Sequence, residues 1–136
     1  MVASFAEWVE TVHPTVKDGP LWSFYVYQKA LFAYDLAWED CDKLLKDTRG
    51  EMISRQLIRS VGSISANIEE GYGRGFGPDY AYRLRIAMGE ARESHGWYWR
   101  AHKLLAQSVL DHRLSLLNEI VARLVPAIKQ QSNHKK

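Results

Sequence analysis

Apolar residues recur at intervals of three and four along most of this chain, a spacing that predicts helices and leaves nothing reading as a strand. Phe24, Tyr27, Leu31, Tyr34, Trp38, Cys41 and Leu45 form one such line and predict a first long helix over about Leu21 to Lys46, with these residues as its bundle seam. Trp22, Tyr25, Phe32 and Leu36 run along another face of the same segment, so one neighbour cannot cover it. Thr48 followed by Glu51 has the form of a capping box and restarts a helix that carries Ile53, Leu57, Val61, Ile64 and Ile68 as far as Gly71. Glycine there suits the left-handed residue that closes a helix.

Pro78-Asp79 opens a third helix, where proline suits the first helical position and the carboxylate favours the positive end of the dipole. Its seam is Tyr80, Leu84, Ala87, Ala91, Ser94, Tyr98, Ala101 and Leu105, small enough in the middle to admit another backbone. Trp97 and Trp99 point to opposite sides, so one indole can enter the interior while the other needs a separate apolar surface. A fourth helix, about Leu110 to Gln130, uses Leu114, Leu117, Val121, Leu124 and Ile128, with Pro126 predicting a kink or an early end.

The termini complete the outline. In residues 1–20, Phe5, Trp8, Val9 and Val12 make one short apolar stripe that ends at His13-Pro14, with Asp18-Gly19-Pro20 as the turn that follows. A stripe that short is not stable alone and has to dock on the bundle or on a neighbouring subunit. The expected architecture is all-α: an antiparallel up-down four-helix bundle over 21–130, a helical N-terminal extension, and a disordered polar tail over 131–136.

Composition adds limits. With 136 residues, 46% of them apolar and 25% charged, the chain has the size and balance of one globular domain. No apolar run is long enough to span a bilayer and no secretory leader is legible, so a cytoplasmic location without membrane contact is expected. The single Cys41 cannot form an internal disulfide, which fits a reducing compartment. Net charge is +2, yet residues 1–50 carry five Lys/Arg against eight Asp/Glu and residues 51–136 carry thirteen against eight. That asymmetry allows head-to-tail self-association or an anionic partner.

Chemistry is sparse. The glycine-rich run Gly71 to Gly77 lacks the Lys-Ser/Thr ending and the preceding strand of a phosphate loop. His95 and His102 share a helix face but have no further ligand at helical spacing, and no nucleophile sits in a recognisable motif. No enzyme, metal or cofactor is expected. Between residues 51 and 105 arginines outnumber lysines seven to one, and arginine is suited to bidentate pairing with carboxylate or phosphate. Two uses compete. Arg59, Asn67, Glu70, Arg74 and Glu93 can form a structural polar network where helices two and three meet, whereas Arg55, Arg59, Arg74, Arg83, Arg85 and Arg92 can form a stripe for RNA or DNA.

At these residues a family becomes legible. Gln56-Leu57-Ile58-Arg59-Ser60-Val61-Gly62-Ser63-Ile64-Ser65-Ala66-Asn67-Ile68-Glu69-Glu70-Gly71-Tyr72-Gly73-Arg74 resembles the bacterial four-helix bundle family encoded within intervening sequences of 23S rRNA genes, matching at Arg59, Ser63, Asn67, Glu70, Gly71 and Arg74. Ile86-Ala87-Met88-Gly89-Glu90-Ala91-Arg92-Glu93 is similar to a second stretch of that family, with Glu90 replacing the usual serine. The resemblance covers about Leu21 to Leu124. It implies a homo-oligomer, typically a pentameric ring, with RNA or DNA binding; a related bundle is the accessory protein of a reverse transcriptase. Glu69 where the family has alanine, the acidic first helix and the extension are departures, and they point to weaker nucleic-acid affinity and to a protein partner for the extension.

Three functions follow as expectations. The leading one is a non-enzymatic homo-oligomeric scaffold or adaptor with Trp22, Tyr25, Phe32, Trp97 and Trp99 at its interface. The others are a nucleic-acid-binding module using the arginine stripe, and a bundle holding a small ligand in a pocket of Trp38, Trp97, Tyr98 and Trp99.

Overall fold

The computed structural model describes residues 4–134, all of whose regular elements are helical. Two short helices, α1 (Phe5–Val9) and α2 (Pro14–Lys17), and a 3-10 turn (Pro20–Ser23) precede four long helices, α3 (Tyr25–Leu44), α4 (Thr48–Gly73), α5 (Pro78–Arg100) and α6 (Gln107–Ser132). The chain runs up and down: α4 packs between α3 and α5, α6 packs on α5, and α6 closes the bundle against α3.

Local chemistry sets the boundaries. Asp47, rather than Thr48, caps α4, its carboxylate accepting from the Arg49 amide at 2.8 Å. Gly71 does not end that helix. It is buried within it, and a Cβ there would come within 2.8 Å of Tyr80 and Arg83, so glycine is required by the closeness of α5. The left-handed conformations fall later, at Gly75 and Gly77 (φ 89° and 102°), where the chain turns into α5. Helix α6 continues past Pro126 to Ser132. Ala122 and Pro126 both lie on its exposed side, so the carbonyl that proline leaves unpaired can be hydrated. Gln131 and Ser132 are therefore helical rather than a disordered tail, and the Gln131 side chain accepts from the Gly77 amide at 2.9 Å. Of the expected tail, 135–136 lie outside the described residues, as do 1–3 of the extension.

The core confirms one seam and redraws another. All eight positions of the third-helix seam are buried, six on α5 and Ala101 and Leu105 just past its end. On α3 the inward positions include Val26, Ala30, Ala33, Ala37, Asp40 and Leu44; Tyr27 and Cys41 of the expected seam are buried beside them, while Trp38 and Leu45 stand in solvent. Three alanines bring α3 close to its neighbours, leaving the larger aromatic residues for its flanks.

One flank is covered by the extension. Trp8 is buried and its indole N–H donates to Asp35 at 2.7 Å. Phe5 and Trp8 each pack on Phe32, with ring centroids 5.3 Å away, and Trp8 lies beside Trp22. Phe32 is thus buried within one chain, which corrects its expected place at an oligomer interface. The contacts predict that Trp8→Ala costs on the order of 3 kcal/mol and frees the extension. Urea unfolding should show the loss, and trypsin should cut faster at Lys17; unchanged cleavage would contradict the docking.

Candidate functional site

Two polar clusters and one outer surface carry the structure's chemical interest. The deeper cluster joins three helices. Arg113 of α6 donates to Asp40 of α3 through Nε at 2.7 Å and Nη2 at 3.0 Å, and the Tyr98 hydroxyl of α5 donates to the same carboxylate at 2.7 Å. Asp40, Arg113 and Tyr98 are 6%, 3% and 2% exposed. His112 Nδ1 accepts from Arg113 Nη1 at 2.8 Å. Burial and the neighbouring guanidinium push the His112 pKa down. Burial and the Asp40 charge hold the Tyr98 hydroxyl well above the usual range, whereas for Arg113 burial's downward pull is outweighed by Asp40. Nε and Nη2 of Arg113 and the Tyr98 hydroxyl all converge on this carboxylate, which makes the cluster a structural tie across three helices.

The motif that resembles the rRNA-encoded family places Arg59 at the α4–α5 contact, where its guanidinium bonds Glu93 and lies 3.3 Å from Glu90. Trp97 Nε1 donates to the same Glu93 carboxylate at 3.0 Å, and Ser94 Oγ reaches Ser60 Oγ at 2.8 Å beneath. The other three members of the predicted network do not join. Asn67 donates to the Ser63 carbonyl one turn back, and Glu70 pairs with Arg74 at 2.8 Å along the surface of α4. Ile64 and Ile68 take the inward face of α4, which leaves Asn67 at its edge and Glu70 on the exposed side. Glu69 ties α4 to α3 by accepting from the Tyr27 hydroxyl at 2.6 Å.

The six arginines expected to form a stripe fall in separate surroundings. Arg55 pairs with Glu51, Arg59 with Glu90 and Glu93, Arg74 with Glu70, and Arg85 donates to Ser132. Arg83 lies over the Tyr82 ring, and Arg92 is exposed and has no ion pair among the described residues. The four residues of the expected aromatic pocket also part. Tyr98 is internal, Trp97 is half-buried, Trp38 stands on the α3–α4 groove, and Trp99 stacks on His102 at the surface. Of the remaining interface candidates, Tyr25 is packed edge-on by Phe5 and covered by the Arg123 guanidinium, and Trp22 is half-buried.

Reactivity is low at the groups present. Cys41 lines the α3–α4 groove, but burial pushes its thiol up to about 11, leaving it protonated at neutral pH. Gly77 spends its amide on Gln131, so the glycine loop offers no converging amides at that point. Among the described residues no cluster of three His, Cys, Asp or Glu could hold a metal, and no helix is long and apolar enough to cross a membrane.

The buried tie was legible only in part. Asp40 follows Ala37 by three and precedes Leu44 by four, and Arg113 stands in the same relation to Leu110 and Leu117. Opposite charges at core positions of two helices are the signal that an apolar-only pattern discards.

Removing one partner leaves an uncompensated buried charge, so Arg113→Ala should cost about 3–5 kcal/mol, measured by chemical denaturation. A loss below about 1 kcal/mol would refute the buried pairing. Alkaline pH gives a second test. Tyr98, Tyr27 and Cys41 all have folded pKa values above their ordinary 10.0 and 9.0 through burial first. The unfolded chain therefore loses protons first as pH rises. Stability is fully present below about pH 9 and falls above it. The melting temperature should drop between about pH 9 and 11, less steeply in Tyr98→Phe; a level profile would contradict it.

Comparison with known proteins places these observations. Residues 23–125 match the protein-family model for the 23S rRNA-intervening sequence protein. A solved structure from Bacteroides thetaiotaomicron, of a protein with unknown function from the S23 ribosomal protein family, aligns with a TM-score of 0.71 at 25% identity. The alignment covers 76% of this chain and 98% of that one. No curated protein matches. The family span begins after α1 and α2, so the docked extension lies outside it.

Proposed function

Because the chain belongs to the 23S rRNA-intervening sequence protein family, we propose that it works as a non-enzymatic homo-oligomeric bundle, a pentameric scaffold or adaptor that engages nucleic acid through the assembled surface. The observation that supports this reading most is the apolar surface that one chain leaves uncovered. Trp38, Leu45, Met52, Tyr82 and Trp99 are 64%, 54%, 69%, 59% and 55% exposed, although the extension has already covered the neighbouring Phe32 flank. Trp38 and Leu45 line one groove together with Ile58, and contiguous bare apolar surface of that kind marks interaction sites.

Paired arginines support a modest role for nucleic acid. Arg55, Arg59 and Arg74 already face carboxylates, so phosphate would have to displace those partners, whereas Arg83 and Arg92 are open to it. Assembly multiplies weak sites. A ring that repeats a few available arginines gains affinity by multivalency without needing a dense patch on each copy.

Light scattering on the full chain at micromolar concentration should give the mass of a pentamer of 15.7 kDa chains. A mass of one chain would overturn the reading. RNA and DNA retention should fall steeply as salt is raised, and retention indifferent to salt, or none at low salt, would remove the nucleic-acid part.

A further inference from the structure

On the side of α5 turned away from the core, Tyr82, Arg85, Gly89, Arg92, Gly96 and Trp99 follow one another at intervals of three and four and make one stripe along the helix. Its two ends are the exposed aromatic residues; its middle is hollow. A Cβ added at Gly89 would meet nothing within 4 Å, and one added at Gly96 would meet only the flexible end of Arg100. Glycine in a helix interior costs about 1 kcal/mol relative to alanine, and no packing inside this chain requires it at either position. Contrast Gly71, where α5 itself leaves no room for a side chain. A backbone approaching from outside is what exposed Gly89 and half-buried Gly96, seven residues apart, would accommodate once the Arg100 side chain swings aside.

A complementary surface lies elsewhere on the same molecule. The groove between α3 and α4, about 240 Å³, is lined by Trp38, Leu45 and Ile58, with Asp42 and Arg55 also facing it. Met52 stands bare one turn before Arg55. Charge separates the two faces. The carboxylate that α3 presents to the groove is Asp42, whereas the α5 stripe carries Arg85 and Arg92 and no carboxylate. Arg55 in the groove is already neutralised by Glu51. Asp42 and Arg92 have neither an ion pair nor a hydrogen bond among the described residues.

We propose that the α5 stripe of one copy seats in the α3–α4 groove of a second copy, a contact that rests on the homo-oligomeric reading and supplies its geometry. The exposed aromatic residues fill apolar surface on both sides, the glycines let the helices approach, and Arg85 and Arg92 meet the acidic edge at Asp42. Since α3 and α5 sit diagonally across the bundle, the two faces point in different directions. The interface is heterologous, each copy using one face as donor and the other as acceptor, so repeated docking closes into a ring when the rotation fits. Nucleic acid suits the stripe less well: α5 as a whole sets Arg83, Arg85, Arg92 and Arg100 against Asp79, Glu90 and Glu93, and glycine hollows add no phosphate contact.

Two variants of the full chain test this. Gly89→Leu with Arg92→Glu blocks the stripe; Trp38→Glu with Leu45→Glu blocks the groove. Each alone should have the mass of a single chain while keeping its circular dichroism melt. An equimolar mixture should form a two-chain complex and nothing larger, because each variant contributes one intact face. Wild-type mass in either variant, or no complex in the mixture, would overturn the pairing. If the wild type assembles in those cases, the homo-oligomeric reading stands without this interface; if the wild type is itself a monomer, that reading falls first. Should a variant melt early, Arg92→Glu, at an exposed position with no hydrogen bond or ion pair among the described residues, changes only surface charge and should weaken assembly about tenfold or more. Unchanged assembly with lost RNA retention would assign the stripe to nucleic acid instead.

Discussion

Two opposite charges held out of water between three helices of a small bundle place a severe demand on everything around them. Moving Asp40 and Arg113 inside costs several kcal/mol per ion, and the pair is tolerable only with near-ideal geometry and filled hydrogen-bonding positions. The bidentate contact, the Tyr98 hydroxyl and His112 meet that demand together. Three helices contribute. A slide of α3, α5 or α6 by one residue would break the arrangement, whereas the alanines that line α3 and α5 would tolerate several registers. The ion pair therefore fixes the mutual register of α3, α5 and α6, as the buried Ser94–Ser60 hydrogen bond and the Gly71 close approach fix that of α4 and α5.

Fixing the register also fixes what is left outside. With Ala30, Ala33 and Ala37 turned inward, the large residues of α3 have to lie on its flanks. The extension takes the Phe32 flank, held by stacked rings and the Trp8–Asp35 hydrogen bond. The opposite flank, with Trp38 and Leu45, is left exposed by the described residues. The extension thereby settles which of the two apolar flanks of α3 stays bare.

Much of this was visible in the sequence, and the misses have physical reasons. The α5 seam is legible because its inward positions are uniformly apolar or small while the outward ones are polar. Helix α3 misleads because apolar residues lie on several sides and its largest one, Trp38, is exposed; its inward face includes three alanines and an aspartate, which hydropathy ranks low. Pro126 is harmless because its unpaired carbonyl faces water. The predicted polar network divides because Arg59 reaches across to α5, whereas Glu70 and Arg74, at i and i+4 on an exposed turn, satisfy each other. The family motif thus locates the α4–α5 contact but does not itself distinguish inter-helix from local pairs.

The central claim is that the bare flank of α3 and the outer stripe of α5 are covered when copies meet. Hydroxyl-radical footprinting across a dilution series tests it directly. Trp38, Met52, Tyr82 and Trp99 should oxidise several-fold more slowly in the assembled protein than in dilute chains, with Phe76, exposed at the bundle end, unchanged as a control. Equal oxidation rates at every concentration would contradict the account.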